Sequence, residues 1–306
     1  MTGLSSLHMN YERQVQAHCR TNKEPDRNKI IARPCRELGM PVPLLQHKKY
    51  AEPSAFTPES LLREARRQKR LPVAAVPEVC VLDPDGDFVR QLRNDGRARI
   101  DHSWACYHTD LYRASFSGLE FGLLGCAVGA SYAVLVAEEL FASGCQLLIS
   151  ITSAGRLVEL RDPPYFVLIE RALRDEGTSY HYMPASEFSA ADPALLSRLD
   201  GKFENIGVHV ERGATWTTDA PFRETDDAID AMRAMGLLAV EMEAAALYAF
   251  ASARGRSVVC FAHVTNQMGR IEQDFEKGEA DGSVSSLAVI LRVALVLRSG
   301  VTGISA

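Results

Sequence analysis

Hydrophobic and polar positions divide this chain into an irregular N-terminal stretch and a long region of alternating strand and helix signals. Residues 1 to about 55 hold no sustained helical or alternating period. They lean basic and carry prolines at 25, 34, 41, 43 and 53, a composition that predicts an extension, flexible or draped over another surface. "FTPESLLREARRQKRLP" follows, with Thr57 as a cap, Pro58 in the first turn and Leu61 and Leu62 opening an amphipathic helix. From residue 77, "EVCVLDP", "FGLLGCAVG", "QLLISITSAG", "YFVLIERAL", "IGVHVERGAT" and "SVVCFAHVTNQM" read as strands. "ASYAVLVAEELFASG", "RETDDAIDAMRAMG" and "VSSLAVILRVALVLRSG" read as helices, and "LLAVEMEAAALYAFASARG" as a strand that turns into one. The pattern predicts an α/β chain: a single domain over 56–306 with a central mixed β-sheet flanked by helices, plus an N-terminal extension over 1–55.

In such sheets ligands bind at the carboxyl ends of strands. The small and polar clusters fall at those ends: Asp85-Gly86-Asp87, Gly125 to Gly129, Thr152 to Gly155, and Thr265-Asn266. A small-molecule site is therefore expected. The formal net charge of −5 and the scattered basic residues argue against a nucleic-acid partner. No apolar run reaches the ~18–20 residues of a membrane span, and the N-terminus shows no apolar signal-peptide core. Seven cysteines, an odd number with no CxxC pattern, read as reduced thiols of a cytoplasmic protein.

One segment does not fit an ordinary core. In "GLLAVEMEAAALY", Glu241 and Glu243 interrupt an otherwise apolar run, and an ionised carboxylate buried without partners costs several kcal/mol, order of magnitude. Two positions apart in a helix, they point to different sides. At a strand-to-helix turn, one can face a cleft while the other meets buried donors; the plainer alternative is a capping carboxylate and a surface one.

"AVEMEAAALYAFA" resembles the ribose-binding segment of the nucleoside phosphorylase superfamily, which includes purine nucleoside phosphorylases, uridine phosphorylases and related nucleosidases. Other segments match in the same order: "VLDPDGDFVRQL", "GLLGCAVGASYAVLVAEELFASG" and "LLISITSAGRL", while "RDEGTSYHYMP" and "GATWTTDAPFRET" look closer to the uridine phosphorylase branch. The resemblance covers about residues 77 to 295. It implies that Glu243 bonds the ribose hydroxyls, with Met242 against the sugar and Glu241 nearby. It places Gly86, Arg90, Ser150, Ser153 and a neighbouring subunit's His108 around a phosphate, with Arg113 competing for the His108 role. It places Trp216, Phe222, Arg223 and Asn266 around the base, and makes Glu243 and Arg90 the catalytic pair.

The implied activity is cleavage of the N-glycosidic bond of a ribonucleoside, pyrimidine or oxo-purine, by phosphate as co-substrate, with no cofactor and no metal. A homodimer or an assembly of dimers is implied as well. Ser150 stands where the phosphorylases carry an arginine, so phosphate is expected to bind weakly, and a nucleosidase using water is the alternative. A non-catalytic nucleoside-binding protein is the rival from another class. Of the remaining candidates, His181 and Tyr182 read as strand residues, His263 as a satisfied core histidine, and "QDFEKGE" as a loop.

Overall fold

Three apolar runs of the chain become almost wholly buried strands. β1 (Val79–Asp83) and β5 (Leu147–Arg156) are built on the predicted segments, and β10 (Ser257–Asn266) is buried from its second residue onward. The computed structural model describes residues 42–268 and 274–298. The chain falls into two units, Met1–Gln46 and His47–Ala306. The extension expected over residues 1–55 lies, up to residue 41, outside the described residues, as do Cys19 and Cys35.

Within the larger unit the elements run in order as α1 (Pro58–Lys69), β1, α2 (Asp87–Asn94), β2 (Arg99–Ile100), β3 (Tyr112–Phe116), β4 (Leu119–Gly125), α3 (Ala130–Ala142), β5, β6 (Tyr165–Asp175), β7 (Phe188–Ala190), α4 (Pro193–Leu199), β8 (Val210–Thr218), α5 (Asp226–Ala234), β9 (Ala239–Glu241), α6 (Ala244–Arg254), β10 and α7 (Ser283–Arg298). The sheet order is β10-β6-β8-β9-β5-β1-β4-β3-β2, with β7 on β6 and a further pairing of β10 with β5. That last pairing closes β5, β9, β8, β6 and β10 into a ring, from which β1, β4, β3 and β2 extend as an open wing. Pairings of β5 with β1 and β10 are parallel and that with β9 is antiparallel, so the sheet is mixed, as expected.

Where ring and wing part, β5 changes partners. It pairs with β1 through Ser150 and with β9 only from Gly155. The residues between have no strand on that edge, and their backbone groups are available to other partners. This is the physical form of a topological switch point, where open sheets place ligands.

One apolar layer packs α3 and α6 on the sheet through Ala133, Ala137, Leu140, Ala246, Leu247 and Phe250. A second packs α2 and α7 on the other face, through Phe88, Leu92, Val289, Ile290 and Val293. The predicted cap of α1 is present: Thr57 Oγ1 accepts the Ser60 N–H at 3.2 Å, with Pro58 opening the helix. Two local expectations are corrected. His181 belongs to a single 3-10 turn, Ser179–His181, and Tyr182 caps it, so neither is a strand residue, because the Glu176 carboxylate accepts the N–H groups of Thr178 and Ser179 and curls the chain. The strand expected over "IGVHVERGAT" begins four residues later, at Val210, and continues through Thr218.

Candidate active site

Glu241 ends β9, and Glu243 is the N-cap residue of α6. Both are buried, yet their situations are opposite. Glu241 Oε2 accepts the backbone N–H groups of Glu243 and Ala244, each at 2.7 Å. Its Oε1 accepts the hydroxyls of Thr215 at 3.1 Å and Thr217 at 2.5 Å. Thr217 Oγ1 in turn accepts the Ala245 N–H at 2.9 Å. The orphan donors of the helix start are thus met by β9 and β8, and Glu243 is released from capping its own helix.

Glu243 reaches across to a second helix start. Its Oε1 accepts the N–H of Gly129 at 2.7 Å, the N-cap residue of α3, whose φ of +94° is a conformation that glycine adopts readily. Its Oε2 is buried with no partner. Burial raises the Glu243 carboxyl from 4.5 to about 8, and the neighbouring Glu241 charge adds to the rise. The Gly129 N–H and the Thr152 hydroxyl pull it partly back, while Asp85 pushes it up. A buried carboxylate oxygen without a donor is an acceptor waiting for a ligand hydroxyl. Met242, between the two glutamates, is half-buried.

The strand ends of β1 and β5 lie alongside. Gly86, with φ +79°, opens α2; an added Cβ would press on Cys126, whose N–H is already held by the Asp83 carbonyl at 3.1 Å. We expect Gly86→Ala to cost about 1–2 kcal/mol from the left-handed conformation alone, measured as a shift in the urea midpoint. The Ser153 N–H, in the unpaired segment of β5, donates to Asp85 Oδ2 at 2.7 Å. Asp83, buried, accepts the Val89 N–H at 2.9 Å, and burial raises its carboxyl to about 7. Asp87 pairs with two cations, Arg90 at 2.5 Å and Lys277.

Several residues named for the phosphate and the base take other places. Ser150 is buried within β5, with Leu82 of β1 and Cys260 of β10 as its Cα partners. Arg90 is exposed and tied to Asp87. Arg113 is held in its own chain by Asp101 at 2.7 Å, Glu120 at 3.1 Å and the Ala75 carbonyl at 2.6 Å. It is therefore not a free arm for a neighbour, whereas His108 is exposed. Trp216 is corrected from a base-stacking ring to a core residue. It is buried among Leu157, Ile229, Leu237 and Val240, its indole N–H donating to Asp175 at 2.9 Å, because β8 turns this side chain toward α5. Phe222 is 98% exposed in the 3-10 turn Pro221–Arg223, and Arg223 is exposed beside it. Asn266, buried at the end of β10, has its amide engaged: Oδ1 accepts the Met268 N–H at 2.9 Å, and Nδ2 reaches the Ala154 carbonyl and Thr265 Oγ1.

His263 is a core histidine, stacked on Phe166 with centroids 4.3 Å apart, but not a satisfied one, since Nε2 is buried without a partner. Burial lowers it to about 4. The described part of "QDFEKGE", from Asp274, is a loop as expected, and Lys277 pins it to Asp87.

Thr215 and Thr217 were not singled out from sequence, and Gly129 and Thr152 only as members of the small-residue clusters at strand ends. Their signal is weak, because small and hydroxylic residues at strand ends are common in any α/β chain.

Residues 78–298 match the Phosphorylase superfamily, and the chain belongs to that family. Among curated relatives it is 28% identical over 145 residues to a guanosine phosphorylase of Halorubrum lacusprofundi, a stretch covering 47% of this chain and 60% of that protein. It is 27% identical over 203 residues to a uridine phosphorylase of Thermococcus kodakarensis, covering 60% and 71%. A solved uridine phosphorylase of Vibrio fischeri shares the fold, with a TM-score of 0.62 at 22% identity, covering 73% of this chain and 92% of that one. Among the described residues no helix is long and apolar enough to cross a membrane, and no side-chain cluster could hold a metal ion.

Proposed function

We propose that this protein is a pentosyl-transferring enzyme that cleaves the N-glycosidic bond of a ribonucleoside with an oxo base, uracil or an oxo-purine. The observation that carries the reading is Glu243: a carboxylate buried between two helix starts, one oxygen held by Gly129 and the other without a partner. A free carboxylate oxygen is suited to accept sugar hydroxyls. Its charge also opposes the positive charge that grows on the sugar as the base leaves, an oxocarbenium-like state. The oxo-base preference is supported by relatives named for guanosine and uridine.

Phosphate as co-substrate is the nucleophile that the relatives' names carry; Gly86 and Ser153 stand at the strand ends where it would bind, while Arg90, in the first turn of α2, is tied to Asp87. A second reading, with water as nucleophile, is favoured by Asp85 on the Ser153 N–H and by Ser150 being a buried serine. Free base released from a panel of uridine, inosine, guanosine and adenosine, with and without phosphate, tests the activity; release from the oxo-base members is expected. We also propose a homodimer or an assembly of dimers, with exposed His108 meeting the neighbour's site. Sedimentation is expected to show at least two copies per particle; a stable, active monomer would sink this.

The raised Glu243 carboxyl sets a pH dependence. In the free enzyme the clean double acceptor exists only when Glu243 is ionised, so kcat/KM is expected to rise with pH through about 8. The stability contribution runs the other way. Between 4.5 and about 8 the folded state keeps a proton that the unfolded state has lost, so stability falls as pH rises through that window. Thermal melts across it, on wild type and Glu243→Gln, check the sign: the variant is expected to lose that component of the slope.

A further inference from the structure

The nucleophile end of the cleft is rich in carboxyl groups. Asp83, Asp85 and Asp87 alternate through the turn after β1; Arg90 and Lys277 both bond Asp87, and Lys277 also lies near enough to Asp85 to feel its charge. Ser153 lies on the stretch of β5 that no strand covers, and its N–H is the donor a bound anion would take there. It already holds an anion: the Asp85 carboxylate, at 2.7 Å. A phosphate dianion entering this place would have to displace Asp85 and then sit against like charge, and like charges at contact disfavour one another strongly. Water carries no such penalty.

The second observation is independent of the aspartates. The buried, unpartnered Oε2 of Glu243 is an acceptor open to a ligand hydroxyl. Asp85 holds the N–H of Ser153, the chain neighbour of Thr152, whose hydroxyl acts on Glu243, so the two carboxyl groups share one strand end. Asp85 is only half-buried, so solvent reaches it.

Resting on the nucleoside-cleavage reading above, we infer that Asp85 is the general base of this enzyme and that the nucleophile it serves is water, making the reaction a hydrolysis. In that step the water oxygen forms the new bond to C1′ of the ribosyl group. The C1′–N bond breaks and its electron pair stays on the base nitrogen. The water proton passes to the Asp85 carboxylate, and the base takes its proton from solvent. The products are free base and free ribose. An oxo base suits the step because its carbonyls spread the departing negative charge, so no side-chain acid is needed at Asn266, whose amide is engaged elsewhere. Ser153 is the positioning residue: its N–H fixes one Asp85 oxygen and leaves the other to the water.

The test uses the full chain with uridine and inosine, assayed for base, ribose and ribose 1-phosphate, without phosphate and with phosphate in large excess over nucleoside. Wild type is expected to form ribose at the same rate in both conditions. Asp85→Asn is expected to lose about 10²- to 10⁴-fold in ribose formation with its thermal midpoint retained. Asp85→Ala is expected to regain part of the lost rate when sodium formate is added, because formate restores a carboxylate base, a recovery no purely structural role would give. Ribose 1-phosphate rising with phosphate in wild type would overturn the inference while leaving nucleoside cleavage standing. So would an Asp85→Asn variant as fast as wild type, or an Asp85→Ala variant that formate does not rescue. No base released by wild type in any condition overturns the cleavage reading, and this inference with it.

Discussion

Glu243→Gln is expected to lose about 10² to 10³ in kcat, the scale of removing one preorganised electrostatic contact at a developing charge. It is expected to do so without loss of stability. The substitution keeps the shape and can keep the Gly129 N–H bond through the amide oxygen. It removes a carboxylate that burial and the Glu241 charge both disfavour. Above pH 8, where the wild-type carboxylate is ionised, the variant is expected to melt at the same temperature as wild type or higher. Function held at a cost in stability is a recurrent mark of active-site groups. A variant that loses stability and activity together would assign Glu243 to the scaffold instead.

Glu241 is expected to behave in the opposite way. Its carboxylate answers four donors, two backbone N–H groups and two threonine hydroxyls. In Glu241→Ala the hydroxyls can turn, but the N–H groups of Glu243 and Ala244 are buried without acceptors, and each such orphan costs about 1–3 kcal/mol. The cavity left by the side chain adds to this. We expect a loss of roughly 3 kcal/mol or more, read from urea denaturation. Glu241→Gln is expected to cost less, since its carbonyl oxygen can take the two N–H groups while the Thr215 and Thr217 hydroxyls rotate to accept from its NH₂. Equal losses in the two variants would show that the four-donor socket is not what holds the β9–α6 turn.

The contrast between these two residues shows what sequence carries and what it does not. Their placement in an apolar run at a strand-to-helix transition was readable, because the short apolar run "LLAV" gives way to the alanine-rich helix after Glu243. Which glutamate is locked and which is free was not, because it depends on Thr215 and Thr217 of β8, some 25 residues earlier in the chain, which become neighbours only when β8 pairs with β9. The sheet class, the predicted α1 cap and the ligand-bearing strand ends were legible for the same local reasons. The closing of five strands into a ring was not, since the β10–β5 pairing joins distant segments whose patterns resemble any buried strand. Trp216 misled because its position at a strand end is compatible with a cleft or with the core. Only the side of β8 from which it projects decides, and a one-residue slip in register reverses that side. Asp85 stood in the "DPDGD" cluster, but its contact with Ser153 spans two strand ends and has no signature within either.

The central claim is that Glu243 serves the cleavage of a ribonucleoside. The most direct measurement is free base formed from uridine and from inosine by wild type and by Glu243→Gln at pH 8.0–8.5, a range chosen to ionise the carboxyl raised to about 8. The account predicts steady release by wild type from at least one of the two and a drop of about 10² or more in the variant. Equal release by both proteins, or binding of these nucleosides with no base released by wild type, would contradict it.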